Sequence, residues 1–335
     1  MLLASAGTPK VPVGSTLVQL HRLKVSSTQN EIAPLSIFLV NYMKRIFIIL
    51  LALVLILCSC TEKEVSFGEA TDTALLKQYY AGETITDWRV ISALYLEGAD
   101  ISAHRIQLYE GDSVYETAAS AISCAVLTQL FEVEGYDADK YISPLLQAVE
   151  KPYKVPTLNL CMALMAFYVC DTEVPNLKDI LTHIADIQLA DGGWGVDEDD
   201  RSCDPYISAM VLNVITAYRE EYNDNNSRDG LLTYLGSCIE DDNTVHDSEA
   251  ESSALATMGV LNSLVFAGIP ANGEISTALC TAVGDFSAGG TYADHRKGEH
   301  SETATAEVFL AFATARRASI FSFFSDEYKD MINNQ

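Results

Sequence analysis

The sequence predicts an all-α protein whose helices lie in two concentric layers. Six segments rich in small residues are apolar on nearly every side, and a helix of that kind has to be buried all round. Amphipathic segments lie between them, with apolar residues at i, i+3, i+4 and i+7, a spacing that places each set on one helix face. The repeat length of roughly 45 residues is typical of helix-pair arrays, and no run alternates at period two for long enough to predict a sheet.

The apolar segments are expected to form the inner layer and the amphipathic ones the outer layer. The inner segments are residues 88–96, 115–127, 157–166, 206–217, 251–264 and 302–313, and the outer ones are 141–149, 180–187, 231–239 and 275–283. An open solenoid would leave every helix with one solvated face, so the fully apolar segments favour a closed ring. The predicted fold is an α/α toroid of about six helix-pair repeats over residues 72–335, with an inner ring of buried helices and an outer ring of amphipathic helices.

Glycine pairs and capping residues mark the expected helix boundaries. The pairs at 192–193 and 289–290 are predicted to end outer helices, because glycine readily adopts a positive φ at a helix C-terminus. Asp204, Ser248 and Ser301 are predicted to be the N-caps of the inner helices that follow them.

The charge of the chain excludes some classes of partner. The first 59 residues hold five bases and one acid, whereas residues 60–335 hold 16 bases and 45 acids, a net charge of −29. A field of that sign repels phosphate backbones, so nucleic acid is not expected as a partner. It also repels anionic lipid head groups, so contact with a membrane requires a hydrophobic segment.

A hydrophobic segment of this kind precedes residue 60. Lys44 and Arg45 are followed by an apolar run, residues 46–57. As a helix this run rises only about 18 Å, too short for a bilayer core of roughly 30 Å, and is typical of a secretory signal. Residues 57–60 (LCSC), at the end of this run, resemble the lipobox of bacterial lipoproteins. The resemblance implies cleavage before Cys60 and a palmitate or other acyl chain on its sulfur. The alternative is an uncleaved anchor helix that includes residues 35–40.

These features divide the chain before the toroid into three parts. Met43 is the expected start, so residues 1–42 are expected to be an extension of the gene model or disordered. Residues 43–59 are the predicted signal peptide, and 60–71 a polar tether. The expected localisation is extracytoplasmic at the cell surface, with a lipid anchor in a bacterial membrane.

One short motif carries a resemblance to a known superfamily. Residues 188–195 (QLADGGWG) resemble the Q…GGW signature of the prenyltransferase and squalene-cyclase repeat, and a degenerate copy stands at 289–292. The opening, 75–94, is similar to the first repeat of bacterial surface proteins whose toroid is like the α-domain of transcobalamin and intrinsic factor. The resemblance implies a terpenoid cyclase-like toroid and a binding role, toward a small molecule or a separate surface partner protein.

Three groups of residues are candidates for a catalytic or metal-binding site. Residues 197–200 spell the D-x-D-D of class II terpene cyclases, but five residues separate them from the next inner helix, which favours a solvated acidic loop. Cys203, Asp204 and His300 lie near the positions of the zinc ligands in protein prenyltransferases, but their spacing along the chain differs from that of the family. A calcium-binding loop of the EF-hand type needs an oxygen ligand at its third position, where this chain has Arg201. No metal and no other cofactor is therefore expected. Six further cysteines, an even count, permit disulfides in an exported protein, but the absence of a C-x-x-C pair favours small buried hydrophobes: Cys124, Cys161, Cys170, Cys203, Cys238 and Cys280.

The predicted function is that of a membrane-anchored toroid that binds a small molecule or partner at the mouth of its ring; the sequence favours binding over catalysis and leaves enzymatic activity open. One alternative is an isoprenoid cyclase or prenyltransferase-like enzyme, and another is a surface structural or protein-interaction module. The lining of the cavity distinguishes them. Aromatics around a buried carboxylate favour an enzyme, a polar rim favours binding, and a filled centre favours a structural role.

The site is predicted at the mouth where the inner helices begin. Each helix N-terminus presents unpaired N–H groups and a partial positive charge. Aromatic rings beside hydrogen-bonding acids suit an amphipathic ligand, although capping alone would explain Asp204 and packing alone would explain Trp88. The candidate ligand-binding residues are Trp88, Tyr115, Glu116, Asp204, Tyr206, Glu249, His300 and Glu302.

Overall fold

The computed structural model describes residues 71–326 other than 198, 223 and 224, together with Tyr328. These residues belong to the second of two compact units, Ser66–Gln335. The predicted signal, Cys60 and most of the tether lie outside the described residues. None of the helices in the described part of the chain combines the length and the hydropathy needed to cross a membrane.

The described residues form eleven α-helices and three pairs of very short strands. The helices, in chain order, are α1 (Ala74–Tyr80), α2 (Trp88–Leu96), α3 (Val114–Ala125), α4 (Asp139–Ala148), α5 (Thr157–Val169), α6 (Leu177–Asp186), α7 (Pro205–Ala217), α8 (Asn225–Ser237), α9 (Ala254–Phe266), α10 (Glu274–Ala282) and α11 (Glu302–Arg316). The strands are β1 (Thr84–Ile85), β2 (Arg105–Ile106), β3 (Val245–His246), β4 (Ser252–Ser253), β5 (Ser287–Ala288) and β6 (Thr291–Tyr292).

Six of these helices close into an inner ring. Helices α2, α3, α5, α7, α9 and α11 each pack against the next, and α11 packs back against α2. Most residues of α5 and α9 are buried and the others are half-buried, as the all-round apolar sequence requires. The closed ring confirms the predicted fold class, an α/α toroid.

The outer layer consists of α1, α4, α6, α8 and α10. Helix α4 covers α3 and α5, and α10 covers α9 and α11. Between α2 and α3 the chain forms a short 3₁₀ turn, Ile101–Ala103, and the strand β2 instead of an α-helix; β2 pairs in parallel with β1, which precedes α2. The strand pairs β3–β4 and β5–β6 are antiparallel and lie in the loops that lead into α9 and α11.

The Q…GGW motif has a structural role. The Gln188 side-chain amide donates to the carbonyls of Gly192, at 2.8 Å, and Ser227, at 2.9 Å. The indole of Trp194 is fully buried, and its Nε1 donates to the carbonyl of Ile184 at 2.7 Å. The motif thus holds the α6–α7 loop against α6 and α8, because its polar atoms are satisfied within these elements.

A hydrogen bond recurs where the chain enters three of the inner helices. In each, a loop N–H donates to a Ser or Thr hydroxyl four residues after the helix N-cap. This repeated bond places the loop over the first turn of its helix. The pairs are Trp194 with Ser208 at 2.9 Å, Val245 with Thr257 at 2.9 Å, and Tyr292 with Thr305 at 3.0 Å.

Two of the three predicted N-caps are confirmed and one is wrong. Asp204 accepts from the N–H of Ile207 at 3.0 Å, and Ser301 accepts from that of Ala304 at 3.2 Å. Ser248 does not cap α9; Ser253 does. The helix starts later than predicted because residues 252–253 pair with 245–246 as strands.

The glycine pairs take the predicted backbone conformation, but they are not helix ends. Gly192, Gly289 and Gly290 have positive φ values of 96°, 65° and 96°. Helix α6 ends at Asp186, well before Gly192, and the pair at 289–290 turns the chain between β5 and β6. The positive φ therefore serves tight loops rather than helix C-caps.

Candidate functional site

The six inner helices begin at one mouth of the ring, where they surround a cavity of about 610 Å³. We call it the N-mouth cavity. It is lined from all six first turns and from the loops before them. The lining residues are Asp87, Trp88, Arg89, Tyr109, Tyr115, Ala119, Leu158, Asn159, Asp204, Tyr206, Ile207, Asp247, Ser248, Ser253, Leu255, Ala256, Asp294 and Thr303.

Four aromatic side chains form part of this lining: Trp88, Tyr109, Tyr115 and Tyr206. The Trp88 ring is 4% exposed and packs on Phe321, with centroids 5.7 Å apart. Its Nε1 is buried, and the Trp88 side chain lies close enough to the Tyr115 side chain for the two to interact.

Four aspartates supply carboxylates to the same cavity, and each is fixed by backbone N–H groups. Asp87 and Asp204 cap the N-termini of α2 and α7. Asp247 accepts from the N–H of Glu249 at 2.8 Å, and Asp294 accepts from that of Leu255 at 3.1 Å. These bonds hold the carboxylates in place, so a ligand does not have to order them on binding.

Burial changes the protonation of one of these aspartates. Removal from water raises the pKa of Asp204 above its ordinary value, and the nearby Asp247 raises it further. Bonds from the N–H groups of Ile207 and Tyr206 oppose the rise. Asp204 therefore keeps a proton to higher pH than an exposed aspartate does.

Among the described residues, Arg89 is the only basic side chain that lines the cavity, and its charge is neutralised by two acids. Its Nη2 lies 2.5 Å from a carboxylate oxygen of Asp87, and its Nη1 lies 3.3 Å from one of Glu307. The lining therefore carries more negative than positive charge, which disfavours an anionic ligand.

The floor of the cavity is a buried network that fills the centre of the ring. The Glu307 carboxylate accepts from the Tyr206 hydroxyl at 3.2 Å, from the Asn262 amide at 2.6 Å, and from Arg89. Burial raises the pKa of Glu307, and Arg89 lowers it again in part. The four residues come from α7, α11, α9 and α2, so the network joins four inner helices.

The structure brings together four of the eight predicted site residues. Trp88, Tyr115, Asp204 and Tyr206 line the N-mouth cavity. The other four side chains are at the same end of the ring but do not line the cavity: Glu116, Glu249, His300 and Glu302.

Each of these four has a different position. Glu116 accepts from the Ser113 hydroxyl at 2.7 Å in the cap of α3. Glu249 and Glu302 are exposed. His300 is exposed and contacts Tyr79, with 3.3 Å between the Tyr79 hydroxyl and His300 Nε2. They are not part of the site that we propose below.

Sequence reasoning missed Asp87, Arg89, Tyr109, Asp247 and Asp294. Most of these lie in loops, where periodicity gives no information about what a side chain faces. One signal was present. Glu307 is an acid in the interior of the inner segment 302–313, and a buried acid of that kind requires a partner such as Arg89.

The D-x-D-D motif does not line the cavity. Asp199 is exposed, and the Asp200 carboxylate accepts from the N–H groups of Val196, at 3.1 Å, and Arg201, at 2.8 Å. The same bonds lower the pKa of Asp200. This part of the acidic loop thus organises itself in solvent, as predicted.

The cysteines and the zinc positions give no metal centre in the described part of the chain, where no group of three His, Cys, Asp or Glu side chains is arranged so that it could hold a metal ion. Cys203 donates to Asp191 at 3.2 Å. All six thiols at positions 124–280 are free, and five of them are buried. Burial raises the pKa of Cys124 to about 11 and that of Cys280 to about 12, so these thiols stay protonated.

Comparisons with known proteins add little to what the structure itself shows. No protein-family model matches the chain, and the search of curated proteins returned no match. Among solved structures, the chain is similar to a mutant of unsaturated glucuronyl hydrolase from Streptococcus agalactiae. The two are 12% identical with a TM-score of 0.49, over 81% of this chain and 94% of that one. A likeness of this size carries no argument about activity.

Proposed function

We propose that the protein is a binding protein whose N-mouth cavity takes a small, neutral, hydroxyl-rich molecule with an apolar ring face, such as a sugar. The observation that carries the proposal is the combined lining of four aromatic side chains and four fixed carboxylates. Aromatic faces pack against the C–H faces of such a ring, and carboxylates accept from its hydroxyl groups. The excess negative charge of the lining acts against a ligand that bears an acid group.

The cavity has the concave shape and the mixed lining that small-molecule sites require. Two of its aspartates are N-caps of inner helices, the other two accept from backbone N–H groups, and its size comes from the ring itself. Little reorganisation is then needed when a ligand enters, which favours affinity.

We also propose that this domain is held at the outer face of a bacterial membrane by an acyl chain on Cys60. The support is in the sequence alone: the basic pair 44–45, the short apolar run 46–57, and the small residue before the cysteine. A separate surface partner protein that adds to the site remains part of this proposal.

Titration calorimetry with three probes tests the binding function. The probes are methyl glucoside, the matching hexuronate and a neutral disaccharide. We expect a neutral sugar to bind and the hexuronate to bind at least about tenfold more weakly, which corresponds to roughly 1.4 kcal/mol. Failure of every neutral sugar to bind, or equal affinity for the hexuronate, would contradict the proposal.

Matched variants test whether the sugar binds in the N-mouth cavity. Asp204→Asn keeps the cap of α7, since Asn caps as well as Asp, but removes the charge. It should weaken sugar binding by about tenfold, because a charge-assisted hydrogen bond is worth roughly 1.5 kcal/mol or more. Asp100→Asn is the control, since Asp100 is an N-cap that does not line the cavity. It should bind like the wild type.

A second candidate function is acid–base hydrolysis of a glycosidic bond. The observation that favours it is the raised pKa of Asp204, a carboxyl group of the cavity. Asp247 lies close enough for its charge to contribute to that rise. A carboxyl group that keeps its proton can act as the acid in that reaction, and a second carboxylate can act as the base. Release of nitrophenol from aryl glycosides tests it, and Asp204→Asn should then abolish turnover while the sugar still binds.

An isoprenoid enzyme and a purely structural module have less support. An isoprenoid cyclase or prenyltransferase needs its acid or zinc in the cavity, but Asp199 is exposed and Cys203 bonds to Asp191. A structural module agrees with the filled centre of the ring, where Trp88 packs on Phe321. It gives no reason for a lined cavity of about 610 Å³ above that centre.

A further inference from the structure

The opposite mouth of the ring holds a second cavity, of about 460 Å³. Helices α5, α7 and α9 end there, at Val169, Ala217 and Phe266. The 3₁₀ helix Ile320–Phe324 and the residues after it close one side of this cavity. We call it the C-mouth cavity.

Aromatic rings form one wall of the C-mouth cavity. The Tyr168 ring contacts Tyr218 edge to face, with centroids 6.1 Å apart, and contacts Phe266 at 6.2 Å. The Tyr218 hydroxyl donates to the Leu164 carbonyl at 2.9 Å, which fixes that ring. Burial raises the pKa of Tyr168 to about 12, so its ring stays neutral and keeps an electron-rich face.

The charges around this wall are mainly negative. Asp171, Glu220, Glu221 and Asp326 line the cavity, against a single base among the described residues, Arg219. Three inner helices also end there, and a helix C-terminus carries a partial negative charge. Together these charges repel an anion and attract a cation.

We propose that the C-mouth cavity binds a small organic cation, a quaternary or tertiary ammonium group, over the rings of Tyr168, Tyr218 and Phe266. The rings receive the cation on their faces, and the carboxylates supply the counter-charge. An organic cation fits better than a metal ion, because no three His, Cys, Asp or Glu side chains in the described residues come together as ligands. This site is independent of the function proposed for the N-mouth cavity.

A pair of isosteres tests the charge requirement. Choline and 3,3-dimethyl-1-butanol have nearly the same shape, but only choline is charged. In titration calorimetry choline should bind in the millimolar range or better, and the neutral alcohol about tenfold more weakly or not at all. Equal binding of the two, or no binding of choline at millimolar concentration, would overturn the proposal.

Variants with opposite effects locate the site. Arg219→Gln removes the base that lines the cavity and should tighten choline binding by a few fold, whereas Glu221→Gln should weaken it by a similar factor. Both side chains are exposed, so the fold should tolerate the changes. Tyr168→Leu should abolish binding, and Asp204→Asn, at the other mouth, should leave it unchanged. Weaker binding by Arg219→Gln would contradict the proposed site.

Discussion

At the scale of single residues, Tyr206 connects the wall of the N-mouth cavity to the centre of the ring. Its hydroxyl donates to Glu307, and its ring lies against Gly259 of α9. A methyl group at Gly259 would come within 2.4 Å of the Tyr206 ring. The absence of a side chain at position 259 is thus what allows the tyrosine to lie between α7 and α9.

The substitution Gly259→Ala should therefore destabilise the protein, although alanine is normally the better helix former. We expect a loss of about 1–3 kcal/mol from overpacking, offset in part by helix propensity. Gly236→Ala is the control, since a methyl group on this exposed residue of α8 meets nothing within 4 Å. It should be neutral or stabilising by roughly 0.5 kcal/mol. Urea unfolding measures both, and a stabilised Gly259→Ala would contradict the packing described.

At the scale of elements, the seam between α2 and α11 closes the ring. The buried ion pair of Arg89 with Glu307 crosses this seam, and both side chains are about 5% exposed. Such a pair adds little net stability compared with apolar residues, because its desolvation is costly, but loss of one partner leaves a charge without compensation.

Arg89→Met should cost about 3 kcal/mol or more of unfolding free energy, because Glu307 then stays buried without its cation. Arg316→Met is the matched control: Arg316 lies 3.6 Å from Glu97, and its side chain is 43% exposed. That change should cost roughly 0.5 kcal/mol. Chemical denaturation at neutral pH compares the two, and equal losses would show that the seam pair has no special role.

A second ion pair joins the loop before α9 to the loop before α11. Arg296 donates to Asp242, and this bond lowers the pKa of Asp242 to about 2. Because the folded-state pKa lies below the unfolded value of about 3.9, the stabilisation is present above that value and is lost as pH falls toward 2.

Asp242→Asn should therefore lower the unfolding free energy by roughly 0.5 kcal/mol near neutral pH, since the pair is about half exposed. The difference from the wild type should vanish near pH 2. Asp285→Asn is the control, because Asp285 lies 3.9 Å from Arg296 and is 75% exposed. A difference that persists at low pH would show that the bond to Arg296 is not its cause.

At the scale of the whole molecule, the inner ring was predictable because six segments without a polar face can only be buried. Segment 88–96 coincides with α2, and the other inner segments lie within three residues of their helices at both ends. The start of α9 was wrong because 252–253 pair with β3, a contact that local sequence does not show. The chain also has no outer α-helix between α2 and α3 among the described residues, so the outer layer has one helix fewer than the inner.

The candidate site was predictable in its place but only partly in its residues. The N-termini of the inner helices predicted which mouth of the ring holds the site. The predicted residues that line the cavity belong to the caps or first turns of these helices: Trp88, Tyr115, Asp204 and Tyr206. Asp247 and Asp294 were missed because their direction depends on hydrogen bonds from Glu249 and Leu255 that form only in the folded loops. Helix periodicity carries no information on such loops.

The membrane anchor concerns the chain as a whole, and it lies outside the described residues. Cys60→Ala should release the protein into the soluble fraction or leave the signal uncleaved, because an acyl chain can no longer be attached. Fractionation and mass measurement of the mature N-terminus test this. Cys58→Ala is the control and should remain anchored. Residues 44–58 intact on the mature protein would contradict the proposal.

A crystal structure of the protein soaked with the sugar that binds most tightly in the calorimetric panel tests the N-mouth binding site most directly. We expect the sugar to lie in the N-mouth cavity, with its ring against Tyr115 or Tyr206 and its hydroxyl groups donating to Asp204, Asp247 or Asp294. A sugar bound in the C-mouth cavity, on the acidic loop 197–200 or on the outer helices would contradict it.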